Sequence, residues 1–418
     1  MPVTPEDYLA AAVAHLRPAR LDTESVPLLD ALGRTLANDA VARLSVPPFD
    51  NSAMDGFAVR VEDAAGEGPW TFAVIAEIAT GSVGQNSAHD ACSAHDGAPA
   101  LPQAARIMTG APVPAWADAV VKVEDTDAPA GASELPDTVT IHAAPQPGQN
   151  IRRAGEDLVA GALALPSGAV LGARSLSALA SVGFGEVEVV RRPRVAVIAT
   201  GSELAAPGET PEPGMIPDSN SALISGLVRE AGGEPVVVRT VADTADAFGQ
   251  ALVSADALGA RPDLIVTSGG VSMGAFDPVK EYGLTRGWTF EKVAMQPGKP
   301  QGHGLSPAGV PVMCLPGNPV SVAVSFRLFV RPLLALLLGQ PHDAARRLLP
   351  AGAAWKSPAG RRQYVAAKVV RDGAVVPVHE LGSGSHLVAS LHYAEVLAVV
   401  PADKEEVHPG DLLDVLTL

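Results

Sequence analysis

Three short stretches carry residue types that bind anions. Thr200-Gly201-Ser202-Glu203 follows an apolar run. Thr267-Ser268-Gly269-Gly270-Val271-Ser272-Met273-Gly274 follows another, with Asp277 just beyond. Leu315-Pro316-Gly317-Asn318-Pro319-Val320-Ser321 follows a third. Glycines let a backbone approach a ligand closely and turn successive N–H groups toward an anion. Ser268, Gly269, Gly270, Ser272 and Gly274 are therefore candidate phosphate contacts. The alternative is a tight strand-to-helix turn, with Asp277 capping a helix that begins at Pro278. In the third stretch Asn318 and Pro319 suit the N-cap and first position of a helix. Pro316-Gly317 would lift that helix end off its strand and leave its N–H groups open to an anion.

Carboxylates and cations are the second signal. Asp55, Asp157, Glu203, Asp243 and Asp277 all stand in turn-like contexts. Beside a phosphate such groups share a hard cation, most often Mg²⁺; singly, each also fits a turn or a cap. Arg152, Arg153, Lys292, Lys299, Arg361 and Arg362 lie in or beside Gly/Pro-rich loops, which suits anion contact or a solvated face. The second loop is not Gly-x-Gly-x-x-Gly, and Gly298-Lys299-Pro300 lacks the Ser/Thr of a P-loop. His89-Asp90-Ala91-Cys92-Ser93-Ala94-His95 lacks a fourth ligand at a familiar spacing and reads as part of an exposed loop, 81–104. Cys314, after Val312-Met313, reads as a small core residue.

The composition narrows the partners. A net charge of −16 over 418 residues repels nucleic acid and anionic lipid. Two distant cysteines argue against a disulfide framework. Met1–Asp7 does not read as a signal peptide. The longest apolar stretches, near Val320–Val330 and Pro332–Leu338, are interrupted by Ser321, Ser325, Arg327 and Arg331. A cytoplasmic enzyme with small-molecule substrates is the expectation.

The elements that must position these residues follow from pattern. Thr4-Pro5-Glu6-Asp7 predicts a helix to about Leu16. From Pro193 to about residue 340, short continuous apolar strands alternate with helices, which predicts a mostly parallel sheet covered on both faces. Ligands bind such sheets at the carboxyl ends of the strands. After that, Tyr364–Val370 and Ala374–Val378 flank Asp372-Gly373, a two-residue hairpin signal, and Val396–Val400 and Leu412–Leu418 add strands. Length alone suggests about three domains.

Five segments in order resemble one family: Asp50-Asn51-Ser52-Ala53-Met54-Asp55-Gly56, Arg106-Ile107-Met108-Thr109-Gly110-Ala111-Pro112, Gln149–Asp157, Ser268–Gly274 and Leu315–Pro319. They are similar to those of the molybdopterin molybdenumtransferases, the MoeA and gephyrin E-domain family. The resemblance covers nearly the whole chain. It implies an α/β and β multidomain protein of four domains: a discontinuous linking domain (1–54 and 143–192), a β-rich inserted domain (55–142), a central three-layer α/β/α domain (193–340) and a small β-barrel-like domain (341–418). It implies insertion of molybdate into adenylated molybdopterin with release of AMP, assisted by Mg²⁺.

By the same resemblance, Asp55 and Thr109 reach the active site across a homodimer interface, and Glu203 and Asp277 lie near Mg²⁺. Asp243, Lys292 and Lys299 belong to the cleft, while Pro300, Ser321, Arg361 and Ser385 lie near molybdate. Contact with the molybdopterin adenylyltransferase is a further implied partnership. Gln296 stands where many relatives carry Lys, Ala242-Asp243-Thr244 has one acid where a pair is common, and Pro217 stands at a position usually not proline. Two other functions compete. A non-catalytic scaffold would not need the retained acids. A nucleotide-processing amidase relative would not need Asp50–Gly56 or the C-terminal β unit.

Overall fold

The computed structural model describes residues 3–81, 101–129, 131, 134–257, 261–271, 277–341 and 347–418. Its centre is one six-stranded sheet of Arg194–Thr200 (β1), Glu234–Val241 (β2), Leu264–Ser268 (β3), Thr289–Lys292 (β4), Pro300–Leu305 (β5) and Pro311–Leu315 (β6). The order is β2-β1-β3-β6-β5-β4. The first four strands run parallel; β5 is antiparallel to both neighbours. β1, β3 and β6 are buried almost throughout, as strands covered on both faces must be.

Five helices cover the sheet: Pro5–Leu16 (α1), Ser219–Glu230 (α2), Ala245–Asp256 (α3), Pro278–Leu284 (α4) and Pro319–Leu338 (α5). Successive strand residues point to opposite faces. Thus Val195 and Val197 join Ile224, Val228 and Phe329 in one core, while Ala196 and Ile198 join Phe248, Leu252 and Val279 in the other. α1 begins as its cap predicts: the Asp7 N–H donates to Thr4 Oγ1 at 3.1 Å, and Pro5 takes the first turn. Its buried residues Tyr8, Ala12 and Leu16 repeat every fourth position and pack on the α/β core. The chain start thus adheres to the central unit although it runs on into the linking segment.

Residues on either side of the inserted unit pair with each other. Thr23–Pro27, Glu186–Val190 and Thr35–Leu36 form a three-stranded sheet over Leu28, Leu171 and Leu179. Between them, Gly56–Val59, Trp70–Ile78, Gln103–Ile107, Ala119–Lys122 and Thr138–Ile141 make a five-stranded sheet around Phe57, Phe72 and Val121. Gln103 and Ala104, expected in a loop, are strand residues; the His89–His95 segment lies outside the described residues.

The C-terminal unit is a sheet of Val375–Pro377, Arg362–Val369, Val396–Val400, Leu412–Thr417 and Arg347–Pro350. A bridge from Ala351 to Val375 joins its two ends, closing a small barrel. Met295–Gln296, from the central unit, adds to Arg362–Val369 in parallel.

Two local expectations change. The hairpin loop is three residues, Arg371–Gly373, because Val370 N–H bonds the Ala374 carbonyl; Gly373, with φ of +83°, takes the left-handed place. The apolar stretches read as separate are one helix, α5, twenty residues long. A π-helical turn at Phe326–Val330 widens the ladder just before Pro332, whose ring and missing N–H would otherwise break it. By length and composition α5 is apolar enough to cross a bilayer; here Phe326, Phe329, Leu333 and Leu337 are buried in the core.

Candidate functional site

Strand register brings the candidate loops to one edge. Thr200 pairs with Val241, Ala199 with Ser268, and Ser268 with Leu315. The residues after β1, β2, β3 and β6 therefore emerge side by side. They form one wall of a cleft of about 900 Å³, faced by Met295–Pro300, Arg361 and residues 381–386 of the C-terminal unit. Glu203, Asp243, Asp277, Ser268, Gly269, Gly270, Pro316, Gly317, Asn318, Lys299, Pro300, Ser321, Arg361 and Ser385 all line it. Ser272 and Gly274 lie outside the described residues.

Gly269 and Gly270 of the second loop are required by packing as well as by access. Gly269 has φ of +90°, and a Cβ there would sit 2.5 Å from the Thr200 carbonyl oxygen. Gly270 has φ of +66°, and its Cβ would meet Val279 at 2.7 Å. Gly269 is thus pressed onto the end of β1, and Gly269–Val271 line the cleft.

Three acids line the cleft together: Glu203 of the first loop, Asp243 after β2 and Asp277 beyond the second loop. Burial, then the charges of Glu203 and Asp277, raise the Asp243 carboxyl above its ordinary range. Asp277 holds the N-cap position of α4 but makes no side-chain cap bond, so capping does not account for it. Among the described residues no three His, Cys, Asp or Glu side chains close into a metal-holding group. Oxygen donors of this kind suit Mg²⁺, which takes one or two carboxylates and completes its shell with water and substrate phosphate.

Asn318 also departs from the capping expectation. It stands at the N-cap of α5, but its amide Nδ2 donates to Ser385 Oγ at 2.9 Å. The Val320 N–H donates to the Ser385 carbonyl at 3.1 Å, so the C-terminal unit is fastened to the start of α5. Sequence reasoning missed two residues here. Asn220 is buried, and its Nδ2 donates to the Gly317 carbonyl at 2.6 Å. Asp218 caps α2 through Ser221 N at 3.0 Å and accepts from Thr240 Oγ1 at 2.8 Å. An Asp ahead of a helix pattern marked that cap; nothing in the sequence marked Asn220.

Other expected residues lie apart. Lys292 lines an adjoining cavity of about 420 Å³ that shares Lys299 and Arg361 with the cleft. Asp55 and Thr109 do not line the cleft of their own chain. They hold each other: Asp55 Oδ1 accepts from Thr109 N–H at 2.6 Å and from Thr109 Oγ1 at 2.9 Å. Those bonds, the backbone one first, hold the Asp55 carboxyl below its ordinary range. Asp157, in the linking segment, is fixed through its N–H to the Val46 carbonyl at 2.9 Å.

A parallel-sheet edge of donor-rich loops, opposed by cations and flanked by acids, has the chemistry to hold a phosphorylated small molecule. Three family models match the chain in order: MoeA N-terminal region (domain I and II) over residues 3–183, a probable molybdopterin binding domain over 196–336, and MoeA C-terminal region (domain IV) over 349–418. The chain belongs to the MoeA family. It is 41% identical over 406 residues to molybdopterin molybdenumtransferase 2 of Mycobacterium tuberculosis, covering 94% of this chain and 95% of that one. It is 33% identical over 412 residues to the molybdopterin molybdenumtransferase of Haemophilus influenzae, covering 95% and 94%. The solved molybdopterin biosynthesis protein of Pyrococcus horikoshii OT3 superposes with a TM-score of 0.80 at 27% identity, over the whole of both chains.

Proposed function

We propose that the cleft is the seat of a molybdopterin molybdenumtransferase reaction, in which adenylated molybdopterin takes up molybdate and releases AMP. The observation that carries this reading is the convergence of Glu203, Asp243 and Asp277 on one wall with Lys299 and Arg361 on the other. An adenylated substrate has a phosphoanhydride, which suits the glycine loop and the acid wall through a shared Mg²⁺. Molybdate, a dianion, suits Lys299, Arg361, Ser321 and Ser385.

The chain's own groups then have defined tasks. Backbone N–H groups and Ser268 hold phosphate oxygens. Lys299 and Arg361 hold the oxyanion beside the dithiolene and offset the charge that gathers there. A Mg²⁺ held by Glu203 and Asp277 would neutralise charge on the departing phosphate. Asp55 and Thr109 complete the site from the second subunit of a homodimer; their mutual bonding away from their own cleft supports that assignment. The protein is cytoplasmic on this reading, and the molybdopterin adenylyltransferase is the partner whose product it consumes.

Incubating the purified chain with adenylated molybdopterin, molybdate and Mg²⁺ tests the reading. AMP should appear together with cofactor able to activate an apo-molybdoenzyme. Absence of AMP under those conditions overturns it.

A further inference from the structure

Away from the cleft, a cavity of about 230 Å³ lies between the C-terminal end of α2, the middle of α5 and the linking segment. Arg327 and Arg331, four residues apart on α5, both line it. They bracket the end of the π-helical turn Phe326–Val330, an irregularity that recurs at functional sites. Arg327 is half-buried, and its Nε donates to the Thr417 carbonyl at 2.6 Å. Among the described residues, neither its terminal nitrogens nor the guanidinium of Arg331 has a hydrogen-bond or ion-pair partner. Burial, then the charge of Arg331, push the Arg327 guanidinium down to about 10.

A half-buried guanidinium with a like charge beside it is stabilised when an anion joins the pair. The wall is otherwise prepared for one. Carbonyls at the end of α2 would repel an anion, but Arg192 Nη1 reaches the Gly232 carbonyl at 3.5 Å. Gln340 is tied down through Nε2 to Thr35 Oγ1 at 2.7 Å. Among the described residues the only carboxylate in the wall is Glu230, beyond ion-pair distance of either arginine.

We propose that Arg327 and Arg331 form a second anion site, for a small proton-bearing oxyanion of which hydrogen phosphate is the simplest. Planar guanidinium forks match phosphate oxygens in pairs. Glu230 can accept a hydrogen bond from an O–H, which hydrogen phosphate carries and sulfate at neutral pH does not. The cavity is a quarter of the cleft's size and shares none of its lining residues, so it takes a small ion and not the nucleotide-capped substrate.

Calorimetric titration of the full-length protein with inorganic phosphate tests the site, using Arg331→Gln, Arg327→Lys and, as a control in the cleft, Arg361→Gln. Arg331 is exposed, so its replacement leaves the core intact. Arg331→Gln should weaken one class of phosphate binding about tenfold or more, as loss of a charged hydrogen-bond donor does. Arg361→Gln should leave that class unchanged, and sulfate should bind it at least about tenfold more weakly. Phosphate binding that is unaltered in Arg331→Gln, or that disappears in Arg361→Gln, overturns the site. Equal affinity for sulfate overturns the role of Glu230.

Discussion

Asp243 carries a raised pKa first because it is buried and second because Glu203 and Asp277 are near. Such a set is stabilised by a shared cation, and on the proposed reading that cation serves the leaving phosphate. Asp277→Ala should therefore lower AMP release about a hundredfold, the usual effect of removing one charge-stabilising group; wild-type turnover in that variant would refute the assignment. Asn220 acts differently, because its side-chain amide donates to a backbone carbonyl. Asn220→Ala leaves the Gly317 carbonyl without its partner and should cost about 1–3 kcal/mol in urea unfolding. An unchanged unfolding midpoint would show that the bond contributes nothing. Sequence could nominate the acids because each stood beside an apolar run. It could not show that they converge, since a single Asp at a turn is equally a cap. Asn220 was illegible because an Asn in the first turn of a helix is ordinary, and its partner lies 97 residues away.

The loops were the most readable elements, since Gly, Pro and Asn have few conformations in which they are preferred. Gly269 illustrates the reason: its φ of +90° and the nearby Thr200 carbonyl leave no room for a side chain. Gly269→Ala should weaken AMP binding by about tenfold or more and cost about 1–3 kcal/mol of stability. Retained affinity, measured by calorimetry, would remove the loop from the site. Less readable was the junction in α5, where two arginines and Pro332 suggested an interruption that a π-helical turn absorbs.

β5 carries a feature that composition hides. Burial, then His15, push the His303 imidazole down to about 4; its Nδ1 lies 3.0 Å from that of His15, and the Tyr8 ring packs on it. Below pH 6.5 the unfolded chain binds a proton that native His303 does not. Stability contributed here is therefore full above 6.5 and falls as pH drops toward 4, by up to about 3 kcal/mol. Urea midpoints at pH 7 and pH 5 should differ for the wild type and converge in His303→Phe. Parallel curves for the two proteins would place the acid sensitivity elsewhere.

At the level of the whole molecule, the proposed homodimer makes a prediction that no single chain can satisfy. Asp55→Ala and Asp243→Ala proteins should each be nearly inactive. Mixed and allowed to exchange subunits, half of the dimers would carry one variant of each kind, with one complete site of two. Roughly a quarter of wild-type AMP release should return on symmetry grounds. No recovery, with exchange verified by native mass spectrometry, would place both residues in the same site or outside it. The ordered matches along residues 3–418 make the family legible from sequence. Which strands would bridge the units was not legible, because a two-residue ladder such as Met295–Gln296 has no periodicity to read.

That short ladder has a mechanical meaning. Met295 and Gln296 border the cleft and are at the same time backbone-paired to strand Arg362–Val369 of the C-terminal barrel. With Ser385 fastened to Asn318 and Val320, the C-terminal unit is joined to the central unit at two places, both bordering the cleft. Each attachment resists a swing of the barrel away from the cleft. The same contacts that hold the barrel in place therefore also set the spacing between the acids on one wall and the cations on the other.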